Sequence, residues 1–139
     1  RRQRQMCIRD RKMAYPLILL AALNGLLVVS IGAFMAHALK PIMATELIDT
    51  FETGVLYHML HTIALFGISI LSLHFPGERL LKLSAYSFFL GIIFFSGSLY
   101  FLALTEIRGI GIITPIGGLF FLSGWGMLCL FGSKSSSQT

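Results

Sequence analysis

TGVLYHMLHTIALFGISILSL, residues 53–73, contains no Asp, Glu, Lys or Arg along its whole length. A run of this kind matches the ~20 apolar residues that carry an α-helix across a ~30 Å hydrocarbon layer. In that layer each backbone N–H and C=O must be bonded within the segment, so the run is expected to be a membrane-spanning helix. It also holds two imidazoles, His58 and His61, three residues apart. A polar ring facing acyl chains is costly, so these two are expected to face other protein.

Three further runs have the same character: 16–38, 83–104 and 110–131. The chain is 55% hydrophobic and 12% charged, with a mean hydropathy of +0.80. That is about half the roughly 25% charged residues of a soluble domain. The expected fold is all-α, an integral membrane antiparallel four-helix bundle. The linker KPIMATELIDTFE, 40–52, is long enough for a short interfacial helix between spans one and two, with Ile42, Met43, Leu47 and Phe51 partly embedded. HFPGERLLK, 74–82, reads as a turn. Pro16 suits the first turn of helix one. Thr114-Pro115 reads as N-cap and first helical residue of helix four. Ala36-His37-Ala38 after an apolar run imitates a signal-peptide cleavage site, but the run exceeds the ~7–15 residues of a signal core.

The first twelve residues, RRQRQMCIRDRK, hold six of the eleven basic residues and one of the six acidic ones. Without them the net charge of +5 falls to zero. Residues 1–12 resemble a translated adapter string and are expected to be a non-native leader, with the four-span domain at 13–131 and a flexible tail at 132–139. The basic excess therefore gives no reason to expect nucleic acid. Cys7 and Cys129 form no disulfide framework and no metal-type spacing. With four spans, Arg79, Lys82 and Lys134 share one side and Lys40 and Arg108 the other. The positive-inside rule then places both termini in the cytoplasm.

At 1.5 Å per residue, His58 and His61 lie about 8 and 12 Å below the expected start of helix two. His37 closes helix one at the same side. Ser96 and Ser98 lie roughly 9–12 Å below the end of helix three, with Tyr100 nearer the surface. The polar side chains are thus expected to gather in one leaflet, leaving Asn24, Ser84 and Ser123 in the other. Tyr57, His58 and His61 share a helical face. The expected cluster is His37, Glu52, Tyr57, His58, His61, Ser96, Ser98 and Tyr100, with the serines and Tyr100 as partners of the histidines. Gly25, Gly32 and Ala36 on helix one, and Gly117 and Gly124 on helix four, form small-residue stripes suited to close helix packing.

Four motifs in order, GAFMAHALK (32–40), FETGVLYHMLH (51–61), FSGSLYFLAL (95–104) and TPIGGLFFLSGW (114–125), resemble the domain-of-unknown-function family 423. The resemblance covers nearly all of 13–131 and implies a small four-span membrane protein, mostly of bacteria, placing it in the inner membrane. It brings no catalytic residues. It implies that His58, often glutamine in the family, is a weaker ligand candidate than His37 or His61, and that Met35 stands where glycine is usual.

Three function classes remain. A structural, interaction or assembly-type protein, working in the bilayer with a membrane-protein partner or a second copy, fits short loops and no large soluble domain. A small transporter or proton-conducting unit using the histidines is the alternative. A metal- or haem-binding protein built on His37, His58 and His61 is the third. Zinc prefers four close ligands with satisfied outer partners, so no metal, no cofactor and no enzymatic activity are expected.

Overall fold

The structure, a computed structural model, describes residues 15–134 with their side chains and residues 2–14, 135 and 136 as backbone only. The expected leader, 1–12, lies outside the side chains described. Helix α1 is Arg2–Phe34 and widens into a π-turn, Met35–Leu39; α2 is Thr45–His74. Span three is α3, Arg79–Gly91, a π-turn, Ile92–Ser96, and α4, Gly97–Thr105. A 3₁₀ turn, Arg108–Ile112, leads into α5, Thr114–Ser136. Among the described residues, four segments are long and apolar enough to cross a membrane: Tyr15–Leu39, Thr45–His74, Arg79–Thr105 and Arg108–Lys134. Among the described residues there is no strand.

The ends of these elements obey local chemistry. Glu78 caps α3 by accepting from the Leu80 N–H at 3.3 Å, and Gly77 supplies the positive φ of 83° that the turn before it needs. Glu106 ends α4 in the left-handed region, donating its N–H to Leu102 O at 2.8 Å. Pro16 lies inside α1 rather than in its first turn. The 45–52 segment is helical, but it is continuous with span two and not a short helix of its own. At ~1.5 Å per residue, α2 is longer than a ~30 Å hydrocarbon layer requires, so its first two turns stand clear of the apolar region. At the other end of the chain, α5 continues through Gly132 to Ser136, where the sequence suggested a loose tail. No proline lies beyond Phe131 to stop it, and Lys134 sits favourably in its last turn.

The spans pack as two antiparallel hairpins. Gly25 faces Thr62 and Gly32 faces Val55, so numbering rises along span one as it falls along span two. Gly124 faces Phe88 and Gly117 faces Phe95, which gives the same relation between spans four and three. Span two against span three joins the hairpins. Two apolar clusters fill the interior. One contains Leu17, Leu65, Ile68, Leu81, Phe88 and Phe121, toward the 74–82 turn. The other contains Met35, Leu39, Phe51 and Ala103, toward the 40–44 connection. Along α2, His58 and His61 fall between the two.

Candidate functional site

Both imidazoles are almost fully buried, His58 at 1% and His61 at 2% exposure. Burial of this depth demands partners, because a polar group stranded in an apolar medium costs several kcal/mol, on the order of 2–7. The structure provides a partner at all four ring nitrogens. His61 Nδ1 lies 2.8 Å from the Tyr57 carbonyl, one turn back on α2. A carbonyl only accepts, so Nδ1 carries the proton. His61 Nε2 lies 3.3 Å from the Trp125 indole nitrogen, which only donates. His61 is therefore a neutral ring with its proton on Nδ1.

His58 has the opposite tautomer. Asn24 donates Nδ2–H to Leu20 O at 2.8 Å, which turns its Oδ1 toward His58 Nε2 at 3.3 Å. That oxygen accepts, so Nε2 carries the proton and Nδ1 accepts from the Tyr100 hydroxyl at 3.2 Å. One directional series results, from Tyr100 on span three through His58 on span two to Asn24 on span one. Aromatic contacts hold the His61 ring in place. It stacks on Phe121 with centroids 3.5 Å apart and planes 8° from parallel, and Phe88 and Trp125 meet it edge-on or nearly so.

The expected cluster assembles only in part. Tyr57 stacks beside His61 and meets Phe95 at a tilt, and it lends its carbonyl, though the residue is 38% exposed. Tyr100 meets His58. Ser98 turns instead to Thr114, hydroxyl to hydroxyl at 2.8 Å, so Thr114 ties span three to span four instead of serving as the expected N-cap. Ser96 is fully buried and its hydroxyl has no partner among the described residues. It ends the π-turn, in which the Ile92 carbonyl accepts from the Gly97 N–H. His37 and Glu52 stand apart. His37 is exposed on the first π-turn, which inserts a residue and rotates the last turn of span one about its axis. Glu52 is exposed and pairs with Lys40 at 3.3 Å.

Asn24 and Trp125 are the partners that reading by depth missed. Because α2 begins at Thr45 and not near Thr53, His58 sits about 20 Å along its helix rather than 8 Å. That is near the middle of α2, where His58 meets Asn24 of span one. Counted from Glu52, where the uncharged run begins, it is about 9 Å deep, so the bond joins a residue of the expected polar leaflet to one expected in the other half.

Of the glycines and alanine expected at helix contacts, Gly117 and Gly124 meet close neighbours, Phe95 backbone and the Phe88 ring. Gly25 and Gly32 have ordinary clearance from Thr62 and Val55, and Ala36 lines a cavity beside Gly32. Among the described residues no three of His, Cys, Asp or Glu come together as a metal-ligand set. Cys129 is exposed and free.

Residues 31–118 match the family described as "Protein of unknown function (DUF423)". The chain belongs to this family. The DUF423 assignment agrees with full-length relatives. The chain is 39% identical over 117 residues to the UPF0382 membrane protein YwdK of Bacillus subtilis, covering 84% of this chain and 95% of that one. It is 44% identical over 115 residues to the UPF0382 membrane protein SSP2132 of Staphylococcus saprophyticus, covering 81% and 92%. The UPF0382 inner membrane protein YgdD of Escherichia coli is 36% identical over 116 residues, covering 81% and 85%. No solved structure matches the chain. This DUF423 member is thus an integral membrane protein with four apolar helices.

Proposed function

We propose that this chain is a structural and interaction-type protein of the bacterial inner membrane, whose buried polar side chains hold its spans together and present a defined bundle to a membrane partner. The observation that supports this reading is the complete bonding of the two imidazoles. Each nitrogen of His58 and His61 has a partner inside the bundle. Neither ring can give a lone pair or a proton to a substrate without breaking one of these bonds. The name of the Escherichia coli relative, an inner membrane protein, supports the location. Arg79, Lys82 and Lys134 on one side, against Lys40 and Arg108 on the other, support cytoplasmic termini.

The proton-conducting alternative draws on the Tyr100–His58–Asn24 series, since intramembrane ionisable groups are functional candidates by default. However, that series runs from span to span across the bundle and ends on the Leu20 carbonyl. Conduction needs a path along the membrane normal.

Proteoliposomes containing a pH-sensitive dye and an imposed potassium diffusion potential distinguish the two. The proposed role predicts proton uptake no faster than in empty vesicles, for the wild type and for His58→Ala alike. Uptake above the empty-vesicle rate that is lost in His58→Ala overturns it.

A further inference from the structure

A cavity of about 260 Å³ opens between spans one and two, lined by Gly32, Met35, Ala36, Lys40, Glu52 and Val55 among others. Small residues make it. Gly32 and Ala36 leave space where larger side chains would close the seam, and the π-turn Met35–Leu39 widens span one at the same level. π-turns inside helices are frequent at functional positions. The cavity walls are apolar apart from the two charges at the mouth.

Those charges decide what fits. Span one ends at Leu39, so Lys40 is at the level where headgroups begin. Glu52 precedes the uncharged run of α2 and reaches the same level from the other wall. The two meet at 3.3 Å with side chains 58% and 52% exposed. An exposed pair of this kind is weakly held and open to competition. The mouth therefore offers one anion acceptor and one cation acceptor side by side, above an apolar slot that continues into the hydrocarbon layer beside Val55 and Met59.

We propose that this cavity binds a zwitterionic phospholipid with a primary ammonium headgroup, phosphatidylethanolamine by class, with its phosphate on Lys40, its ammonium on Glu52 and part of one acyl chain in the slot. A primary ammonium donates charge-assisted hydrogen bonds to the Glu52 carboxylate. The trimethylammonium of phosphatidylcholine has no N–H to donate. Phosphatidylglycerol brings an anionic headgroup with no cation for Glu52, whose carboxylate then repels it.

The test is native mass spectrometry of the detergent-purified full chain, mixed with equimolar dioleoyl phosphatidylethanolamine, phosphatidylcholine and phosphatidylglycerol. The wild type is expected to retain one phosphatidylethanolamine with about tenfold preference over the other two, the worth of one charged hydrogen bond. Glu52→Gln, an exposed change, is expected to bring phosphatidylethanolamine down to the level of phosphatidylcholine. Ala36→Leu, which fills the slot, is expected to reduce retention of all three. Equal retention of the three lipids by the wild type overturns the proposal. So does an unchanged preference in Glu52→Gln, or wild-type retention by a folded Ala36→Leu. Glu52→Gln does not touch the core and keeps the test decisive if Ala36→Leu fails to fold.

Discussion

Gly117 and Gly118 are neighbours on α5, yet alanine at the two positions should act oppositely. A Cβ at Gly117 would sit 2.6 Å from Phe95 Cβ and 2.7 Å from Phe95 Cα, and closer still to the Phe95 nitrogen. Carbon atoms in ordinary contact are about 3.5–4.0 Å apart, so spans three and four would have to separate by roughly 1 Å at this point. The obstacle is backbone, which no rotamer change relieves. A Cβ at Gly118 meets nothing within 4 Å. Both changes share the same intrinsic gain, since alanine favours a helix over glycine by about 0.8–1.0 kcal/mol. That gain cancels in the comparison and leaves the steric cost alone, about 1–3 kcal/mol for overpacking. Gly117→Ala should therefore be less stable than Gly118→Ala by about 1–3 kcal/mol, with Gly118→Ala at or above the wild type. Unfolding by increasing SDS in mixed micelles, monitored through Trp125, measures this difference; Trp125 is the single tryptophan of the chain. Equal stability of the two variants would refute the close approach of spans three and four at Gly117.

The remaining predictions concern the buried polar layer and use the same SDS unfolding, followed by far-UV circular dichroism because one of them removes Trp125. Asn24→Leu leaves the His58 Nε2–H without an acceptor and should cost about 1–3 kcal/mol. Replacing His58 by Leu and Tyr100 by Phe as well should recover part of that loss, because no orphaned donor remains at either end of the series; a triple variant less stable than Asn24→Leu alone contradicts the assigned tautomer. A cycle of His61→Leu and Trp125→Phe should show a coupling of about 0.6 kcal/mol and at most about 1.7, the range for interhelical bonds in membranes. Additive losses would mean that the indole does not bond the ring.

The fold was legible because the membrane reduces it to one dimension. Four uncharged runs of the right length leave little else for the backbone to do, and short connections make consecutive helices antiparallel. Depth was less legible. Thr45–Glu52 is polar enough to escape a hydropathy reading and still extends α2 by about two turns. Those turns lie outside the uncharged run and leave the depth of His58 below Glu52 at about 9 Å. What counting by depth does not reveal is that Asn24, expected in the other half, meets His58. The histidine face itself was legible from the 58/61 spacing and the cost of facing lipid. His37 was misplaced because nothing in MAHAL announces a π-turn. Tyr100 reaches His58 from a position nearer the surface, in line with the tilt of helical side chains toward the N-terminus of their own helix.

Two different interactions then set the register of the two hairpins. Spans three and four interlock: Phe95 backbone against Gly117, the Phe88 ring against Gly124 and the Phe121 ring against Gly91 each occupy space that only glycine leaves. Sliding one helix along the other would drive rings into backbone. Spans one and two have no such lock. Gly25 and Gly32 meet only the tips of Thr62 and Val55, at 3.8 and 3.7 Å, and the cavity beside Gly32 leaves the seam open. Packing alone would tolerate a shift of span one by a fraction of a turn. The bond from His58 to Asn24 would not, because its 3.3 Å length has little room to lengthen before the bond is lost. A polar pair buried in the bundle thus does for one hairpin what steric fit does for the other. Asn24→Leu should accordingly loosen span one selectively, while Gly117→Ala should loosen span four.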